Sequence, residues 1–594
     1  MVPRVSVPIL DRIFLFIGGN MSLIHDTEKY LCEVINNLGY KIDKVSLIPS
    51  SRKEFGDYQI NEAFRLGKEN KTNPREVAEK IVNSLDNRFI NVNIAGSGFI
   101  NLTFSDEIIM NYLNEGIDNF DYFIDKHDKK TIIVDYGGAN AAKALHVGHM
   151  RSANIGEAVK RLLKVLGHDV IGDVHLGDLG RQSGMLIAYY RRMEPDSPFF
   201  DPNFKGNYPK INLTTKDLGI MYPKSSAIAK ENEEYMEEVR NITAEIDKGN
   251  PAYTALWKQM VEISSKEIKR VYDELNCHFD LWEGELDAFK YIPNALKIME
   301  PFLYESEGAL VCDVKKEDDN KPMPPLMVIK KDGATIYGTR ELGTIYSRIT
   351  RFNPDEIWYF TDDRQSLYFE QVFRASYKTG LVKDNVKLKH FGFGTINGKD
   401  GKPYKTRDGG VMELSDLINL IHDEIEKNVK EEIAGEEREK ITKTLSIATL
   451  KYADLLPFRK TDYIFDPEKF SMLDGKTGPY VLYSLVRIKS LLKKASDTNF
   501  KLIDIKNTEV KDVLVKLLEI NNVLNKSYEE ATLNYITEYI YDILSLYNKF
   551  YNNNNILNEE NNNIKITYLA LSKLVYTVVH NLLNILAIDE VDKM

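Results

Sequence analysis

Cysteine is scarce in this sequence, whose 594 residues include only Cys32, Cys277 and Cys312. No two of them form a CxxC pair, which argues against a zinc site or a disulfide framework and is typical of a reducing compartment. The apolar stretches, such as "DRIFLFIGG", are interrupted by charges and fall short of the roughly 18 residues that a membrane span needs. We therefore expect a soluble cytoplasmic protein with no membrane segment and no metal site of its own.

An excess of positive charge is also absent, because the formal net charge is −11. This balance argues against a protein that coats nucleic acid non-specifically, so any nucleic-acid partner must be recognised by local contacts. With 43% hydrophobic residues, the chain has an ordinary globular composition and is too long for one core.

The pattern along the chain predicts three domains. Residues 21–125 indicate a small α+β domain, 126–435 an α/β domain with a helical insertion at about 190–285, and 436–594 an all-helical region without strands. Residues 1–20 are interpreted as an N-terminal extension, because a helix-like stretch starts after Met21; a degraded signal peptide is the alternative.

A strand–helix–strand unit opens the α/β domain. The strand Thr131–Asp135 leads through a glycine-containing turn into a helix that ends at Gly167, and "DVIGDV" follows as a second strand. This order predicts a parallel sheet of the Rossmann type. The stretches "LMVIKKDGATIYGT" and "EIWYFTDD" are expected to continue the sheet.

Two of the ten histidines flank a glycine in "KALHVGHMRSANIG", directly after this turn. A helix N-terminus carries unpaired N–H groups and suits a phosphate, and His146 and His149 can both face it from one turn. Gly148 has no side chain, so a purine ring can lie against the backbone. The alternative is a pair of ordinary polar residues that cap a helix.

The surroundings of this motif, "VDYGGANAAKALHVGHMRSANIGEAVKRLLKVLGHDVIGDVHLGDLGRQSG", closely resemble the signature segment of class I aminoacyl-tRNA synthetases, and the arginyl-tRNA synthetases among them. The resemblance continues in "FGDYQIN", "DGATIYGTRELGTI", "GTINGKDGKPYKTRDGGVM" and "GKTGPYVLYSLVRIKSLL". It implies ATP-dependent formation of arginyl-adenylate, then transfer of arginine to its tRNA, with Mg²⁺ carried by ATP and no covalent enzyme intermediate.

In this family a second, lysine-rich loop binds the triphosphate. Here the corresponding stretch is "GKPYKTRDGG", with Lys405, Thr406 and Arg407. Because Thr406 takes the place of the second lysine, the resemblance assigns the missing positive charge to Lys143. The alternative for Lys143 is a solvated loop lysine.

For the arginine substrate, the resemblance places Asp135, Tyr337 and Glu341 around the guanidinium, a planar cation best held by bidentate acceptors. The family more often has glutamate first and aspartate second, so the two lengths are exchanged here. Glu341 as a surface helix residue is the alternative.

The other end of the substrate, with its α-amino group and carboxylate, is assigned to Asn140, His149 and Gln365. A second departure is Tyr368, where histidine is common in the family.

Contacts with arginine tRNA are expected at Phe55 and Tyr58, in "FGDYQ", and at Tyr547, Tyr551 and Met594, which the resemblance places beside the anticodon. For Tyr547 and Tyr551 the alternative is the core, since the tyrosines of "YITEYIYDILSLYNKFY" recur at helical spacing. A monomer is expected.

Two other functions stay open. H-x-G-H also occurs in small adenylyltransferases, which lack the helical C-terminal region. A catalytically silent relative that binds tRNA as a regulator is the second, because the exchanged carboxylates could weaken activity.

Overall fold

The computed structural model describes residues 21–594 except 51, 142, 179, 332, 334, 403, 405–411 and 496–498. The chain forms two compact units. The first comprises the residues up to 127 together with 481–529 and 538–582, and the second comprises 128–480, 530–537 and 583–594.

The first unit begins with a four-stranded antiparallel sheet in the order β1-β2-β4-β3 and four helices. Two helix starts follow from the sequence: the Ser22 hydroxyl accepts from the His25 N–H, and Pro74 takes the first position of its helix after the Asn73 cap. The elements are α1 (Leu23–Asn37), β1 (Ile48–Pro49), β2 (Tyr58–Ile60), α2 (Glu62–Glu69), α3 (Pro74–Val82), β3 (Phe89–Ala95), β4 (Phe99–Phe104) and α4 (Asp106–Glu115).

The second unit contains the other strands of the described residues, β5 to β14. Its elements up to the middle of the unit are β5 (Thr131–Asp135), α5 (Val147–Val165), β6 (Asp169–Leu176), α6 (Arg181–Met193), α7 (Thr215–Glu231), α8 (Glu233–Asp247), α9 (Pro251–Glu274), β7 (Leu281–Gly284), α10 (Glu285–Ala288) and α11 (Ile292–Met299). They are followed by β8 (Leu303–Ser306), β9 (Ala309–Cys312), β10 (Leu326–Ile329), α12 (Tyr337–Phe352), β11 (Glu356–Tyr359), α13 (Ser366–Lys378), β12 (Lys387–His390), β13 (Ile396–Asn397), α14 (Leu414–Glu426), α15 (Gly435–Leu455), β14 (Tyr463–Ile464) and α16 (Pro467–Phe470).

A five-stranded parallel sheet in the order β12-β11-β5-β6-β7 forms the centre of this unit. The predicted β5-α5-β6 unit is confirmed, and α5 is followed by Gly167 with φ +100°, a left-handed conformation that glycine adopts without strain. Helices α7, α8 and α9 pack with α6 around a separate apolar core that includes Leu218, Val239 and Trp257.

Two expectations about strands are wrong. "LMVI" forms β10 of a separate three-stranded antiparallel sheet, in the order β10-β9-β8, and does not join the parallel sheet. A strand also occurs after residue 435, since β14 pairs in parallel with β13. A short apolar run fits either kind of sheet, so the pattern alone does not choose between them.

Five helices complete the chain: α17 (Gly478–Lys494), α18 (Thr508–Leu517), α19 (Ile520–Glu530), α20 (Asn534–Asn553) and α21 (Asn562–Ile585). Among the described residues, α21 alone is long and apolar enough to cross a membrane by length and composition, which the sequence analysis did not anticipate. Because 72% of its apolar window is buried in the structure, α21 has the character of a core helix.

Candidate active site

The H-x-G-H motif lies at the start of α5. His146 is the N-cap residue, and its Nδ1 accepts the Gly148 N–H at 3.1 Å. His149 Nδ1 accepts the His146 N–H at 3.0 Å, and the two ring centroids are 3.7 Å apart. The alternative of a capping pair is therefore correct for the Nδ1 atoms, since both rings accept backbone N–H groups at the helix start.

These hydrogen bonds also assign the tautomers. With Nδ1 accepting in both rings, the proton of each neutral imidazole is on Nε2. Burial lowers the pKa of His149 to about 3, with further contributions from His146 and Lys143. Burial and Lys143 likewise lower the pKa of His146. At neutral pH the helix start thus offers two uncharged Nε2–H donors.

A second physical reason favours glycine at position 148. A Cβ at this position would lie 3.0 Å from Cε1 and 3.1 Å from Nδ1 of the His146 ring. The glycine is exposed and leaves both the imidazole and the backbone free of a crowding side chain.

The turn before α5 runs beside the end of β6. Asn140 forms a β-bridge with Gly177 and is exposed. Lys143 is also exposed, and its Nζ lies 4.7 Å from the ring centroid of Tyr222 on α7. Its ammonium therefore makes a cation–π contact, a weak interaction that a stronger anionic partner can replace.

Lys405, Thr406 and Arg407 lie outside the described residues. The chain that follows them is fixed next to the histidine motif: the Val147 N–H donates to the Met412 carbonyl at 3.2 Å, and the Leu414 N–H donates to the Leu145 carbonyl at 2.8 Å.

A row of polar residues crosses the parallel sheet where its strands end. Asp135 of β5 is in register with Tyr359 of β11 on one side and with Asp173 of β6 on the other. Residues in register across parallel strands point to the same face, so these side chains converge. All three are buried.

Arg348 on α12 neutralises part of this row. Its Nη2 lies 2.5 Å from Asp135 Oδ2 and 2.6 Å from Asp173 Oδ2, with the arginine 2% exposed. Asp135 stays a predicted substrate residue, although its Oδ2 already has a guanidinium partner within the chain.

Glu341 occupies the same face of α12, two turns before Arg348. It is 6% exposed, so the surface-residue alternative is wrong. Its Oε1 is buried and has no hydrogen-bond partner among the described residues. Burial raises the pKa of Glu341 to about 7, against the opposing charge of Arg348. An acceptor left unpaired in a buried site is costly unless a ligand satisfies it.

Sequence reasoning missed a second buried carboxylate. Glu285 follows β7, and its Oε2 lies 2.8 Å from Nη1 of Arg340. Asp178 supports this turn by accepting the Leu286 N–H at 3.0 Å. One sequence signal could have indicated it: Glu283 and Glu285 flank Gly284, where a strand ends.

The remaining predicted substrate residues are at the surface of the unit. Tyr337 begins α12 and is 52% exposed, and Gln365 is exposed just before α13. The hydroxyl of Tyr368 donates to the Tyr337 carbonyl at 3.3 Å, with ring centroids 5.1 Å apart. The residue that departs from the family pattern therefore packs against a predicted substrate residue.

Two of the predicted tRNA contacts are core residues. Tyr58 is 1% and Tyr547 0% exposed, and their hydroxyls bond to the Val515 carbonyl and to Ser572. Rings without exposed surface do not stack on an RNA base, so a direct contact is wrong for both, and the core alternative holds for Tyr547.

Three predicted tRNA contacts remain accessible. Phe55 and Tyr551 are half-buried in the first unit, where the Arg487 guanidinium lies 4.3 Å from the Tyr551 ring centroid. Met594 is half-buried and belongs to the second unit, next to an ion pair of Lys593 with Glu437 at 2.8 Å.

A search of the described residues finds no cluster of three or more His, Cys, Asp or Glu side chains that could hold a metal ion.

A Rossmann-type parallel sheet, with H-x-G-H at the start of the helix after its central strand, is compatible with a class I aminoacyl-tRNA synthetase and with a small adenylyltransferase, and the comparisons with known families decide for the synthetase. The family model described as "tRNA synthetases class I (R), catalytic domain" matches residues 114–467. Models of the arginyl-tRNA synthetase N-terminal domain and of the DALR anticodon-binding domain match 25–104 and 481–594.

Curated relatives agree over the full length. The chain is 40% identical over 584 residues to an arginine–tRNA ligase of Alkaliphilus oremlandii, covering 96% of this chain and 100% of the relative. An arginine–tRNA ligase of Agathobacter rectalis is also 40% identical, over 596 residues, with the same shares covered. The chain belongs to the arginyl-tRNA synthetase family.

A solved structure supports the fold. The arginyl-tRNA synthetase of Plasmodium falciparum aligns with a TM-score of 0.79 at 22% identity, covering 96% of this chain and 99% of the other.

Proposed function

We propose that this chain attaches L-arginine to the 3′-terminal adenosine of arginine tRNA in two steps. The arginine carboxylate first attacks the α-phosphate of ATP, which forms arginyl-adenylate and releases pyrophosphate. A ribose hydroxyl of the tRNA then takes the arginyl group, and AMP leaves. One observation carries the proposal: a buried carboxylate with an unpaired oxygen lies in the same unit as a helix start with two neutral imidazole donors.

The helix start is the ATP site in this proposal. His146 and His149 donate Nε2–H groups to the triphosphate as negative charge builds on the leaving pyrophosphate. Donors that are already uncharged and oriented by backbone contacts need little reorganisation when the reaction occurs. The adenine lies against the backbone at Gly148, and Mg²⁺ enters with the nucleotide.

Positive charge for the triphosphate comes from two places. Lys143 leaves its contact with Tyr222, because an anionic phosphate attracts the ammonium more strongly than an aromatic ring does. Lys405, Thr406 and Arg407 supply the remaining contacts, since the chain beyond them is bonded to residues 145–147.

The guanidinium of arginine binds Glu341. Its buried Oε1 lacks a partner among the described residues, and a planar cation with five donors satisfies such an acceptor. Citrulline carries no charge to pair with this carboxylate, and the ammonium of lysine lacks the planar fork, so both are poorer ligands. Tyr337 covers the site. Asp135 contributes to arginine binding indirectly, through its ion pair with Arg348.

The α-amino group and carboxylate of arginine are proposed to lie near Asn140, His149 and Gln365. Asn140 and Gln365 are exposed, which leaves their amides free to meet a ligand.

For the tRNA, we propose contacts at Phe55, Tyr551 and Met594. An aromatic ring with an arginine over its face, as at Tyr551, is a suitable partner for an unstacked base. The protein acts as a monomer in the cytoplasm.

A charging assay tests this proposal. Labelled arginine, lysine and citrulline are each offered with ATP and total tRNA, and acid-precipitable label is counted. We expect label from arginine alone. Binding of tRNA without charging by any amino acid would instead support the catalytically silent regulator.

A further inference from the structure

A fixed arginine lies inside the acidic cluster of an enzyme that binds arginine. Arg348 is 2% exposed, and its Nη2 contacts carboxylate oxygens of both Asp135 and Asp173. Its Nε makes a second contact with Asp173 Oδ2, at 3.2 Å. This guanidinium therefore makes with two side chains the contacts that a substrate guanidinium would seek.

The backbone explains why these groups meet. Asp135 and Asp173 are in register on neighbouring parallel strands, so both point to one face of the sheet. Glu341 and Arg348 are seven residues apart on α12, which places them on one face of that helix two turns apart. The sheet contributes two carboxylates, and the helix adds one carboxylate and one cation.

The charges leave Glu341 different from the two aspartates. Arg348 forms ion pairs with Asp135 and Asp173. Glu341 is also buried, but among the described residues it forms no ion pair. Its Oε1 has no hydrogen-bond partner there, and the same is true of Asp173 Oδ1. Of the three carboxylates, Glu341 is therefore the one without a cation of its own in the described part of the chain.

We infer that Arg348 is a positioning residue for substrate recognition: its guanidinium forms ion pairs with Asp135 and Asp173 and thereby directs the guanidinium of the incoming arginine to Glu341. The inference rests on the proposed function, because it needs arginine to bind at Glu341.

The reason is the behaviour of like charges in a buried site. Three carboxylates that share a low-dielectric cluster do not all ionise, so removal of Arg348 makes the cluster take up protons. Arginine binding must then expel a proton that Glu341 or a neighbour has gained. The charged and titratable groups that face Arg348 and Glu341 are Asp135, Asp173, His175, Glu283, Glu285, Tyr337, Tyr359 and Tyr368.

The test measures the Michaelis constant for arginine against pH in Arg348→Gln, using arginine-dependent ATP–pyrophosphate exchange with tRNA present. Near neutral pH we expect it to rise about tenfold or more, the scale expected when one partner of a buried charge pair is lost. It should fall back towards the wild-type value at higher pH, and kcat should change less.

Charge rescue separates this role from a merely structural one. Asp173→Asn added to Arg348→Gln removes one carboxylate along with the cation and should move the pH profile back towards wild type. Asp173→Asn alone should shift the profile to lower pH, because Glu341 then has fewer like charges around it. If Arg348→Gln does not fold, the pH profile of Asp173→Asn alone tests the inference.

Arg374→Gln is the matched control. Arg374 lies on α13 and pairs with Asp319 at 2.8 Å, outside the cluster around Glu341, so its loss should leave the Michaelis constant for arginine unchanged. An unaltered pH profile in Arg348→Gln, or in Asp173→Asn, overturns the inference. If Glu341→Gln leaves the Michaelis constant unchanged, the proposed arginine site itself is wrong; if only the Glu341 variant responds, the inference alone fails.

Discussion

His146 and His149 are the residues on which the proposed ATP site depends most. Both rings use Nδ1 to accept a backbone N–H and offer Nε2–H to a ligand. We expect His149→Ala and His146→Ala each to lower the rate of arginine-dependent pyrophosphate exchange by roughly 100-fold or more, because a donor to the transition state is lost. Affinity for tRNA, measured by filter binding, should change little. Parallel losses of exchange and tRNA affinity would indicate misfolding and contradict the assignment.

Glu341 gives the site a pH dependence. Burial raises the pKa of this carboxyl to about 7, so it is mostly neutral below that pH and ionised above it. Because the guanidinium binds the ionised form, the Michaelis constant for arginine should fall as pH rises through neutrality. Exchange rates measured against arginine concentration at a series of pH values check this.

The control for this prediction is Glu341→Gln, which removes the titrating group and keeps the size of the side chain. It should show a raised Michaelis constant with little dependence on pH in the same range. A variant that retains the wild-type pH profile would show that another group titrates.

At the residue scale, the sequence singles out candidate site residues most readily where they stand in a motif whose chemistry is known. His146, Gly148 and Glu341 stood in recognisable contexts. Arg348 and Asp173 did not, because a charged residue inside a helix or strand gives no signal of the tertiary partner that allows its burial. Tyr547 shows a second limit of prediction from sequence. A tyrosine at helical spacing gives the same sequence pattern whether its face of the helix is buried or exposed.

At the scale of elements, the start of α5 is both a helix terminus and the proposed ligand site. Helix stability and ligand binding favour different residues at position 148. Alanine has the higher helix propensity, by up to about 1 kcal/mol. Its Cβ would nevertheless lie 3.0 Å from the His146 ring. We expect Gly148→Ala to keep or raise the melting temperature while it lowers pyrophosphate exchange. Reduced stability with normal exchange would contradict this account of the glycine.

The second turn of α5 is fixed by a buried ion pair. Arg151 is 1% exposed, donates to the carbonyls of Gly394 and Thr461 at 2.8 Å, and lies 3.3 Å from Asp454. Arg151→Ala leaves the Asp454 carboxylate buried without its cation, which should cost about 3–5 kcal/mol of unfolding free energy. Denaturant unfolding measures the loss. Asp454→Asn in the same chain should recover part of it, and an equal loss in the double variant would contradict the charge explanation.

The sequence predicted β5, α5 and β6 well because an apolar strand, a one-sided helix and a capping glycine each leave a local signature. It placed β10 in the wrong sheet and missed β14, since pairing partners are set by contacts between distant residues. The sheet register that brings Asp135 beside Asp173 is likewise a property of the folded chain.

At the scale of the whole molecule, the division into units differs from the linear order of the predicted domains. The N-terminal α+β segment shares a unit with much of the helical C-terminal region, and α15 belongs with the parallel sheet. Linear composition indicates where segments change character, but it does not indicate which segments fold together.

The chain terminus provides a prediction at this scale. Met594 ends the chain next to the Lys593–Glu437 ion pair and is half-buried. Removing Met594 should weaken the use of arginine tRNA, by about 1 kcal/mol if its thioether packs on a base as other side chains do. The Michaelis constant for tRNA in the charging reaction measures this effect, and the melting temperature should not move. An unchanged constant would remove Met594 from the tRNA-binding surface.

The central claim is our proposal that this molecule activates arginine at a buried carboxylate in the same unit as an ATP-binding helix start. The most direct test is ATP–pyrophosphate exchange by the full chain with each of the common amino acids in turn, with and without arginine tRNA. The account predicts exchange with arginine alone and its loss in both His149→Ala and Glu341→Gln at limiting arginine. Exchange with a different amino acid, or arginine-dependent exchange that survives both substitutions, would contradict it.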